Sequence, residues 1–197
     1  MTAVTLSDIT MSFGGRTLFE GVTIALPPGM RFGLTGPNGS GKSTLLKIIM
    51  GIEQPVKGTV SRPAKTGMLK QNIHEFKDER VVDVVVMGNA RLWSAFKERD
   101  ELYMHEITDK IGIRLGDLEG IIAEEDGYSA EANAEALLSG IGVTEEYFQR
   151  KLHEIPLDMQ FRVLLCQALF GDPDALFLDE PTNHLDMESI SWLEIFL

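Results

Sequence analysis

The chain has 197 residues, enough for one well-buried domain and too few for two domains of ordinary size. Its composition, with 44% hydrophobic and 24% charged residues, is typical of a soluble globular protein. A formal net charge of -12 argues against a surface that binds nucleic acid through its overall charge, so RNA or membrane contact would need a local patch or another segment.

Cysteine content and hydropathy bear on the compartment. The single cysteine, Cys166, lies in an apolar helical run and has no partner for an intramolecular disulfide, which favours a reducing environment. No uninterrupted apolar stretch reaches membrane length, and the N-terminal sequence "MTAVTLSDIT" lacks the basic and apolar regions of a signal peptide. We therefore expect a cytoplasmic protein without membrane insertion.

The first part of the chain has the pattern of strands around a glycine loop. The stretches "AVTLSDITMSF" and "VTIALPPGMRFGLTG" alternate or run apolar with β-branched residues, and glycines and prolines interrupt them. The next stretch, "KSTLLKIIMG", has helical spacing and ends at Gly51. Two further short strands are predicted near "GTVSRP" and "KTGMLKQ".

From about Glu79 to Phe170 the pattern becomes helical, which predicts an inserted α-helical subdomain over residues 79–170. The stretch "DALFLDEPTNHLD" then returns to a buried strand, and Asp186 is a plausible N-cap for the helix "MESISWLEIFL". The predicted architecture is an α/β fold: a mixed sheet, an inserted helical block and a return to the sheet.

The strongest motif is "GPNGSGKST", which fits the phosphate-binding pattern G-x-x-x-x-G-K-[ST] after a predicted strand and at the start of a helix. Its glycines let successive backbone N–H groups turn toward phosphate oxygens. Lys42 can reach the β- and γ-phosphates, and the Ser43 hydroxyl can ligate Mg²⁺. The alternative, a flexible turn that binds nothing, is disfavoured by the strand and helix on either side. The predicted ATP-binding residues here are Gly36, Pro37, Asn38, Gly39, Ser40, Gly41, Lys42, Ser43 and Thr44.

A pair of acids follows the apolar run in "ALFLDE". Asp179 and Glu180 emerge at the carboxyl end of this predicted strand, where ligands bind in α/β sheets. Asp179 suits the Mg²⁺ shell, and Glu180 suits polarisation of an attacking water. An acidic strand end alone is commonly a solvated loop. Together with a phosphate loop it predicts a nucleoside-triphosphate hydrolase.

These residues carry a family resemblance. "GPNGSGKST", Gln71 at a strand end, "LDEPTNHLD" and the helical insert resemble an ABC-type ATPase domain, a P-loop NTPase fold with N-terminal antiparallel β strands and an inserted α-helical subdomain. "LDEPTNHLD" and "EEDGYSAEANAEALLSGIGV" are similar to the ABC-F group of soluble, paired ATPases associated with ribosomes. The chain from Val4 to Leu197 aligns with the first ATPase domain of that group, and "MSFGGRTLFEGV", "EEDGYSAEA" and "FRVLLCQALF" resemble its YbiT-type branch.

The resemblance implies ATP and Mg²⁺ as cofactors, and it assigns further roles. Phe13 would stack on adenine, although by itself an aromatic residue is more commonly part of a core. Gln71 would touch Mg²⁺ and the attacking water, so that Gln71 and Glu180 are the catalytic residues and Ser43, Gln71 and Asp179 are the metal ligands. Asp186 would be the D-loop acid at the face between two ATPase domains, although N-capping explains it equally well.

The stretch "LHEIPLDMQFRVLLCQALF" occupies the ABC signature position, where family members present a hydroxyl and backbone N–H groups to the nucleotide of a partner domain. Leu152 fits that pattern, but His153 stands where serine is expected. Glu154 and Asp158 would repel a triphosphate near the helix start, unless Asp158 caps the helix. We expect a domain that binds ATP on its own loop and completes its partner's site poorly. A helix start without any ligand role is the equal alternative.

The resemblance also bears on partners and completeness. In ATPases of this kind a later strand lies between "RFGLTG" and "ALFLDE", so we expect residues 1–197 to be a C-terminally incomplete ABC domain. A second ABC domain is expected in the full-length chain, and contact with the ribosome and rRNA is expected through segments absent here. Two other functions stay open: the ATP-binding motor of an ABC membrane transporter, and a nucleotide-binding module without turnover.

Overall fold

The computed structural model describes residues 4–69, 72–180 and 185–196. The chain divides into two compact units, Met1–Met68 with Asp172–Asp179, and Leu69–Gly171 with Glu180–Leu197. Among the described residues, the five strands lie in the first unit, and all helices except one lie in the second. The predicted α/β fold with antiparallel N-terminal strands and a helical insert is confirmed.

The first unit is built on strands β1 (Val4–Phe13), β2 (Arg16–Leu26) and β3 (Lys57–Ser61), which form an antiparallel sheet with the order β2-β1-β3. In β1 the buried positions shift from even to odd numbers between Leu6 and Ile9. A bulge at Asp8, whose φ is 54°, absorbs the extra residue. The Asp8 N–H donates to Thr23 Oγ1 at 3.0 Å, which holds the bulge in place. Because of the bulge, the apolar residues on both halves of β1 face the core.

Helix α1 (Lys42–Met50) confirms the helix predicted after the glycine loop, and it ends at Gly51 in the left-handed conformation. Its buried side chains Leu45, Ile48 and Ile49 belong to the same hydrophobic cluster as the inward residues of β1. Burial of each such side chain stabilises the fold by about 1.5–3 kcal/mol. The residues after the glycine loop are therefore anchored to the sheet.

A second sheet in the first unit pairs β4 (Thr66–Met68) with β5 (Ala175–Phe177) in parallel register. Strand β5 is the strand predicted in "ALFLDE", but only Phe177 of its three residues is buried. The parallel pairing places the ends of β4 and β5 at the same edge, because Met68 is paired with Phe177. Asp179 follows two residues after β5.

The strand predicted at "RFGLTG" is wrong for the described residues. Residues 31–36 belong to no strand, and Phe32 and Leu34 are 51% and 45% exposed. A strand requires hydrogen-bond partners on a neighbouring strand. No described residue pairs with this segment in a ladder, so its apolar pattern is not realised as a strand.

The second unit is helical, and its elements agree with the helical pattern predicted from about Glu79 to Phe170. The boundaries of a subdomain over residues 79–170 stay a prediction. The α-helices are α2 (Val81–Val86), α3 (Ala90–Tyr103), α4 (Asp109–Glu124), α5 (Ala130–Gly140), α6 (Leu157–Leu169) and α7 (Met187–Phe196). Short 3-10 helices span Ile73–Phe76, Gly127–Ser129, Glu145–Tyr147 and Leu152–Glu154.

The stretch "RVVDVVVMGNARLWSAFKERDELY" has a helical pattern throughout, but it forms two helices, α2 and α3. Asn89 caps α3, since its side chain accepts the Leu92 N–H at 3.1 Å. At Gly88 a Cβ would collide with the Gln167 carbonyl oxygen, so only glycine permits this close approach of the chain to α6. A tertiary contact therefore sets the break.

Across the described ranges, with their gaps at residues 70–71 and 181–184, we find no helix with the length and hydropathy needed to cross a lipid bilayer.

Candidate nucleotide-binding site

The glycine loop turns sharply into α1 at Gly41. This residue is the N-cap of α1 and has a φ of 94°, a left-handed conformation that favours glycine. A Cβ there would also lie 3.0 Å from Cε1 of Phe19. The first turn of α1 contains no acidic residue, so its unpaired N–H groups and the positive end of the helix dipole favour an anion.

Lys42 closes the loop on itself. Its Nζ donates to the carbonyl oxygens of Gly36 and Pro37 at 2.8 and 3.0 Å. The Ser40 N–H donates to the Pro37 carbonyl at 3.2 Å, which adds a turn within the loop. An ammonium group has three N–H donors, so one remains for a phosphate oxygen while two hold the loop. The loop geometry thus exists before any ligand binds.

The helix after the loop and the strand before Asp179 share one core. Phe177 of β5 belongs to the same hydrophobic cluster as Leu45 and Ile48 of α1. Ser43 is exposed in the first turn of α1, and Asp179 is half-buried beyond the end of β5. A serine hydroxyl and a carboxylate are oxygen donors, which are the ligands that Mg²⁺ prefers. The donor set in the first unit therefore fits this cation.

Of the two predicted catalytic residues, Gln71 and Glu180, the structure describes Glu180. Gln71 lies outside the described residues. Glu180 is exposed and has a φ of 50°, an uncommon left-handed conformation for a residue with a Cβ. Such backbone conformations carry a cost of about 1–3 kcal/mol and are frequent at functional sites.

Phe13 is not a core residue. It is the last residue of β1, where it pairs with Arg16 across the hairpin, and it is 49% exposed. The core alternative for this ring is therefore wrong, because the buried positions of β1 end at Met11. The exposed ring offers a face on which a planar base can stack.

We define the signature segment as residues 152–160. A short antiparallel ladder ties its beginning to residues 77–81 of the same unit. The N–H groups of Val81, Leu152 and His153 donate to the carbonyls of Arg150, Glu79 and Lys77 at 2.9, 2.9 and 3.1 Å. Leu152 is fully buried. Backbone N–H groups that could face a phosphate are therefore already used at this point.

The side chains of the signature segment are also engaged. His153 Nδ1 lies 2.6 Å from the Lys77 carbonyl oxygen, which can only accept, so Nδ1 carries the proton. Glu154 accepts the Lys151 N–H at 2.9 Å. The expectation that Asp158 could cap α6 is wrong: the cap position is Pro156, and Asp158 lies within the first turn. A carboxylate there disfavours a second anion at this helix start.

Asp186 does cap α7, as predicted, since its Oδ1 accepts the Ser189 N–H at 2.9 Å. Its other oxygen, Oδ2, accepts from Arg162 Nη2 at 2.7 Å. Hydrogen bonds from Ser189, with the nearby Arg162 guanidinium, hold the pKa of Asp186 below its usual range. Sequence reasoning missed Arg162, whose signal was a lone cation within the apolar run "FRVLLCQALF".

Comparisons with known proteins place this site in a family. A family model described as ABC transporter matches residues 19–183. The chain is 44% identical over 197 residues to the uncharacterized ABC transporter ATP-binding protein YkpA of Bacillus subtilis (strain 168). It is 45% identical over 191 residues to the probable ATP-binding protein YbiT of Escherichia coli O157:H7. It is 34% identical over 190 residues to the energy-dependent translational throttle protein EttA of Escherichia coli (strain K12).

These alignments cover 98%, 95% and 92% of this chain and 36%, 36% and 34% of the three relatives. The chain thus spans about a third of the length of the curated relatives it matches. A solved ATP-binding subunit of an ABC transporter superposes with a TM-score of 0.70 at 19% identity, over 98% of this chain and 72% of that one. A dimeric bacterial ABC transporter cassette gives 0.67 at 18% identity, over 97% and 81%. At such identities the likeness shows the fold.

Proposed function

Because the chain belongs to the ABC transporter family of ATP-binding domains, we propose that it is the ATP-binding and ATP-hydrolysing domain of a soluble ABC-F protein that acts on the ribosome. The relatives YbiT and EttA support the ABC-F assignment. The name of EttA describes an energy-dependent translational throttle, and we extend that activity class to the full-length protein here.

The observation that carries ATP binding is the preformed phosphate loop. Lys42 already holds the loop carbonyls of Gly36 and Pro37, and α1 begins at the cap residue Gly41 with no acid in its first turn. A ligand phosphate therefore binds without reorganising the backbone, which reduces the entropic cost of binding. The acidic character of the chain does not oppose this, because the loop itself bears the cation.

Each predicted site residue has a role in this proposal. Residues 36–44 bind the triphosphate, and Phe13 stacks on the adenine. Ser43, Asp179 and Gln71 hold Mg²⁺, which when bound neutralises charge on the phosphates. Glu180 polarises the attacking water as a general base, and Gln71 orients it.

We further propose that this domain and a second ABC domain act together as a clamp. ATP on this domain's loop is enclosed by a second ABC domain in the full-length chain, and closure and release follow binding and hydrolysis. The share of about a third that this chain occupies in its relatives leaves room for such a domain. Contact with the ribosome and rRNA comes from segments outside these residues, in keeping with a net charge of -12.

The test uses the full-length protein and ribosomes. Glu180→Gln removes the general base but keeps the size of the side chain, so ATP stays bound and the clamp stays closed. We expect ATP-dependent co-sedimentation with ribosomes to rise at least severalfold over wild type. Glu101→Gln, at an exposed acid on α3, is the matched control and should behave as wild type. If Glu180→Gln neither accumulates bound ATP nor sediments more with ribosomes, the clamp proposal fails.

A transporter motor is the second candidate, because solved relatives of this fold include ABC transporter subunits. That function places the full-length protein in the membrane fraction together with a membrane-spanning subunit. Recovery of such a subunit after mild detergent extraction, with no ribosome association of Glu180→Gln, would favour the transporter function over the ribosomal one.

A further inference from the structure

One charged residue lies where the helix pattern calls for an apolar one. Arg162 on α6 is only 8% exposed, and the residues that follow it, 163–169, are all buried. A buried cation is costly unless it is paired. Arg162 Nη1 donates to the Ile141 carbonyl at 3.0 Å and Nη2 donates to Asp186 Oδ2 at 2.7 Å. Its Nε has no hydrogen-bond partner among the described residues.

Stability alone is a weak explanation for this arrangement. The Asp186 side chain is 53% exposed, and ion pairs that solvent reaches contribute little to stability. One N–H group of the guanidinium also has no hydrogen-bond partner in the part of the chain that the structure describes. The contribution of the pair is a fixed geometry between the residues that it joins. One nitrogen of the guanidinium holds the Ile141 carbonyl and another holds Asp186, so the rigid fork fixes the distance between these two groups, which an apolar contact cannot do.

Three elements meet at this guanidinium. Ile141 directly follows α5, Arg162 lies in the second turn of α6, and Asp186 caps α7. The two oxygens of Asp186 are divided between its own helix, through Ser189, and α6, through Arg162. The signature segment runs into the first turn of α6. The segment at the start of α6 and the acid at the start of α7 are therefore joined by a single side chain.

We propose that Arg162 is a positioning residue that fixes the D-loop acid Asp186 to α6, so that the signature segment and the start of α7 move as one piece. The inference rests on the proposed function, in which both parts face a second ABC domain. A nucleotide held by that domain then meets both parts in a fixed relation. Loss of the link lowers turnover of the nucleotide held by the second domain, while ATP binding to this domain's own phosphate loop is retained.

The following variants distinguish the Arg162–Asp186 link from the capping of α7 by Asp186. Asp186→Asn keeps an oxygen that can cap α7, because asparagine is as good an N-cap as aspartate, but it removes the ion pair. Arg162→Met keeps an unbranched stem and removes the fork. Arg162→Lys keeps the charge and loses the two-pronged geometry. Asp109→Asn changes an acid in the first turn of α4 and serves as the control for charge alone.

The test uses the full-length protein with Glu180→Gln, in which the remaining turnover comes from the nucleotide held by the second domain. In that background we expect Arg162→Met and Asp186→Asn each to lower kcat about tenfold, with the ATP Kd of this chain's own loop within twofold of the Glu180→Gln parent. The double variant should lose no more than the worse single variant, because both remove the same link. Arg162→Lys should recover part of the loss. Additive losses, or a fall in thermal stability that follows kcat across all variants, would overturn the proposal in favour of a structural role.

A second measurement does not depend on turnover. Hydrogen exchange at residues 187–190 should quicken severalfold in Arg162→Met, while exchange at residues 36–44 stays as in wild type. If wild type shows no ATPase or ribosome association, the proposed function fails, and this exchange comparison still decides whether α6 and α7 are linked. Unchanged exchange at residues 187–190 would show that Arg162 does not hold the start of α7.

Discussion

The phosphate loop and the signature segment both lead into a helix, and ABC domains use both to hold nucleotide, yet here they differ in almost every physical respect. The loop at residues 36–44 is rich in glycine, and within residues 4–69, 72–180 and 185–196 its lysine donates to two carbonyls of the same loop. The signature segment has no glycine, is tied by backbone hydrogen bonds to residues 77–79, and carries an acid in the first helical turn. We therefore expect nucleotide binding and completion of a partner's site to be separable in this chain.

The difference rests on charge as well as on shape. An anion near α1 meets Lys42 and free helix N–H groups, whereas an anion near α6 meets Asp158, with Glu154 in the preceding turn. Each acid repels an approaching anion and offsets the favourable field of the helix N-terminus. We therefore expect the signature segment to bind a phosphate more weakly than the loop does.

The largest expected effect comes from Lys42→Ala. Charge-assisted hydrogen bonds contribute about 1.5–3 kcal/mol each, and loss of the lysine also releases the loop carbonyls. We expect the ATP Kd to rise at least about 100-fold, measured by titration calorimetry. Lys47→Ala, in the last turn of the same helix, is the matched control and should leave the Kd unchanged. Unaltered binding in Lys42→Ala would refute the phosphate-loop assignment.

The next effect concerns the rigidity of α6 behind the signature segment. Burial raises the pKa of the Cys166 thiol far above its usual range, so the folded chain keeps the proton. In the unfolded chain the thiol ionises above a pH of about 8.5, so stability falls by about 1.4 kcal/mol per pH unit above that value. Denaturant titrations from pH 8 to 10 should give slopes that differ by this amount between wild type and Cys166→Ala, because the raised pKa values of Lys57 and Tyr128 contribute equally to both. Equal slopes would mean that α6 is open enough to admit hydroxide.

A smaller effect is expected at the adenine. Phe13→Ala removes an exposed ring, and stacking of this kind contributes about 0.5–1.5 kcal/mol. The ATP Kd should rise roughly 2- to 10-fold, with little change in the melting temperature because the ring is half-exposed. Phe13→Tyr keeps the ring face and should bind ATP like wild type. If alanine and tyrosine behave alike, the ring does not stack on the base.

The smallest effect tests the signature segment directly. The double variant His153→Ser with Asp158→Asn supplies a hydroxyl and removes the acid at the start of α6. Turnover at the site completed by this segment should rise about 2- to 5-fold, following the helix-terminus contribution of roughly 0.3–1 kcal/mol. The same measurement on Asp109→Asn, at the start of α4, should show no rise. A fall in turnover would mean that His153 or Asp158 assists the partner's site.

The sequence predicted the features that depend on local chemistry. The loop at residues 36–44, the helix after it and the cap at Asp186 follow from residue types at fixed spacing, and the structure contains them. The incorrect predictions concern features that depend on contacts with residues distant in the sequence. The apolar run at residues 31–36 needed a neighbouring strand, and the break at Gly88 depends on the approach of α6. The pairing of Arg162 with Asp186 joins residues 24 positions apart and could not be read from either one.

The central claim is that this chain's own phosphate loop supports most of the turnover and that its signature segment supports little. Steady-state ATPase of full-length Glu180→Gln tests it, with the matching substitution in the second ABC domain as the counterpart. Loss of a general base lowers the rate at one site by roughly 10²–10⁴-fold. We predict that Glu180→Gln removes at least about nine-tenths of total turnover and that the counterpart removes a minor share. If half or more of the activity survives in Glu180→Gln, the two regions do not differ as described.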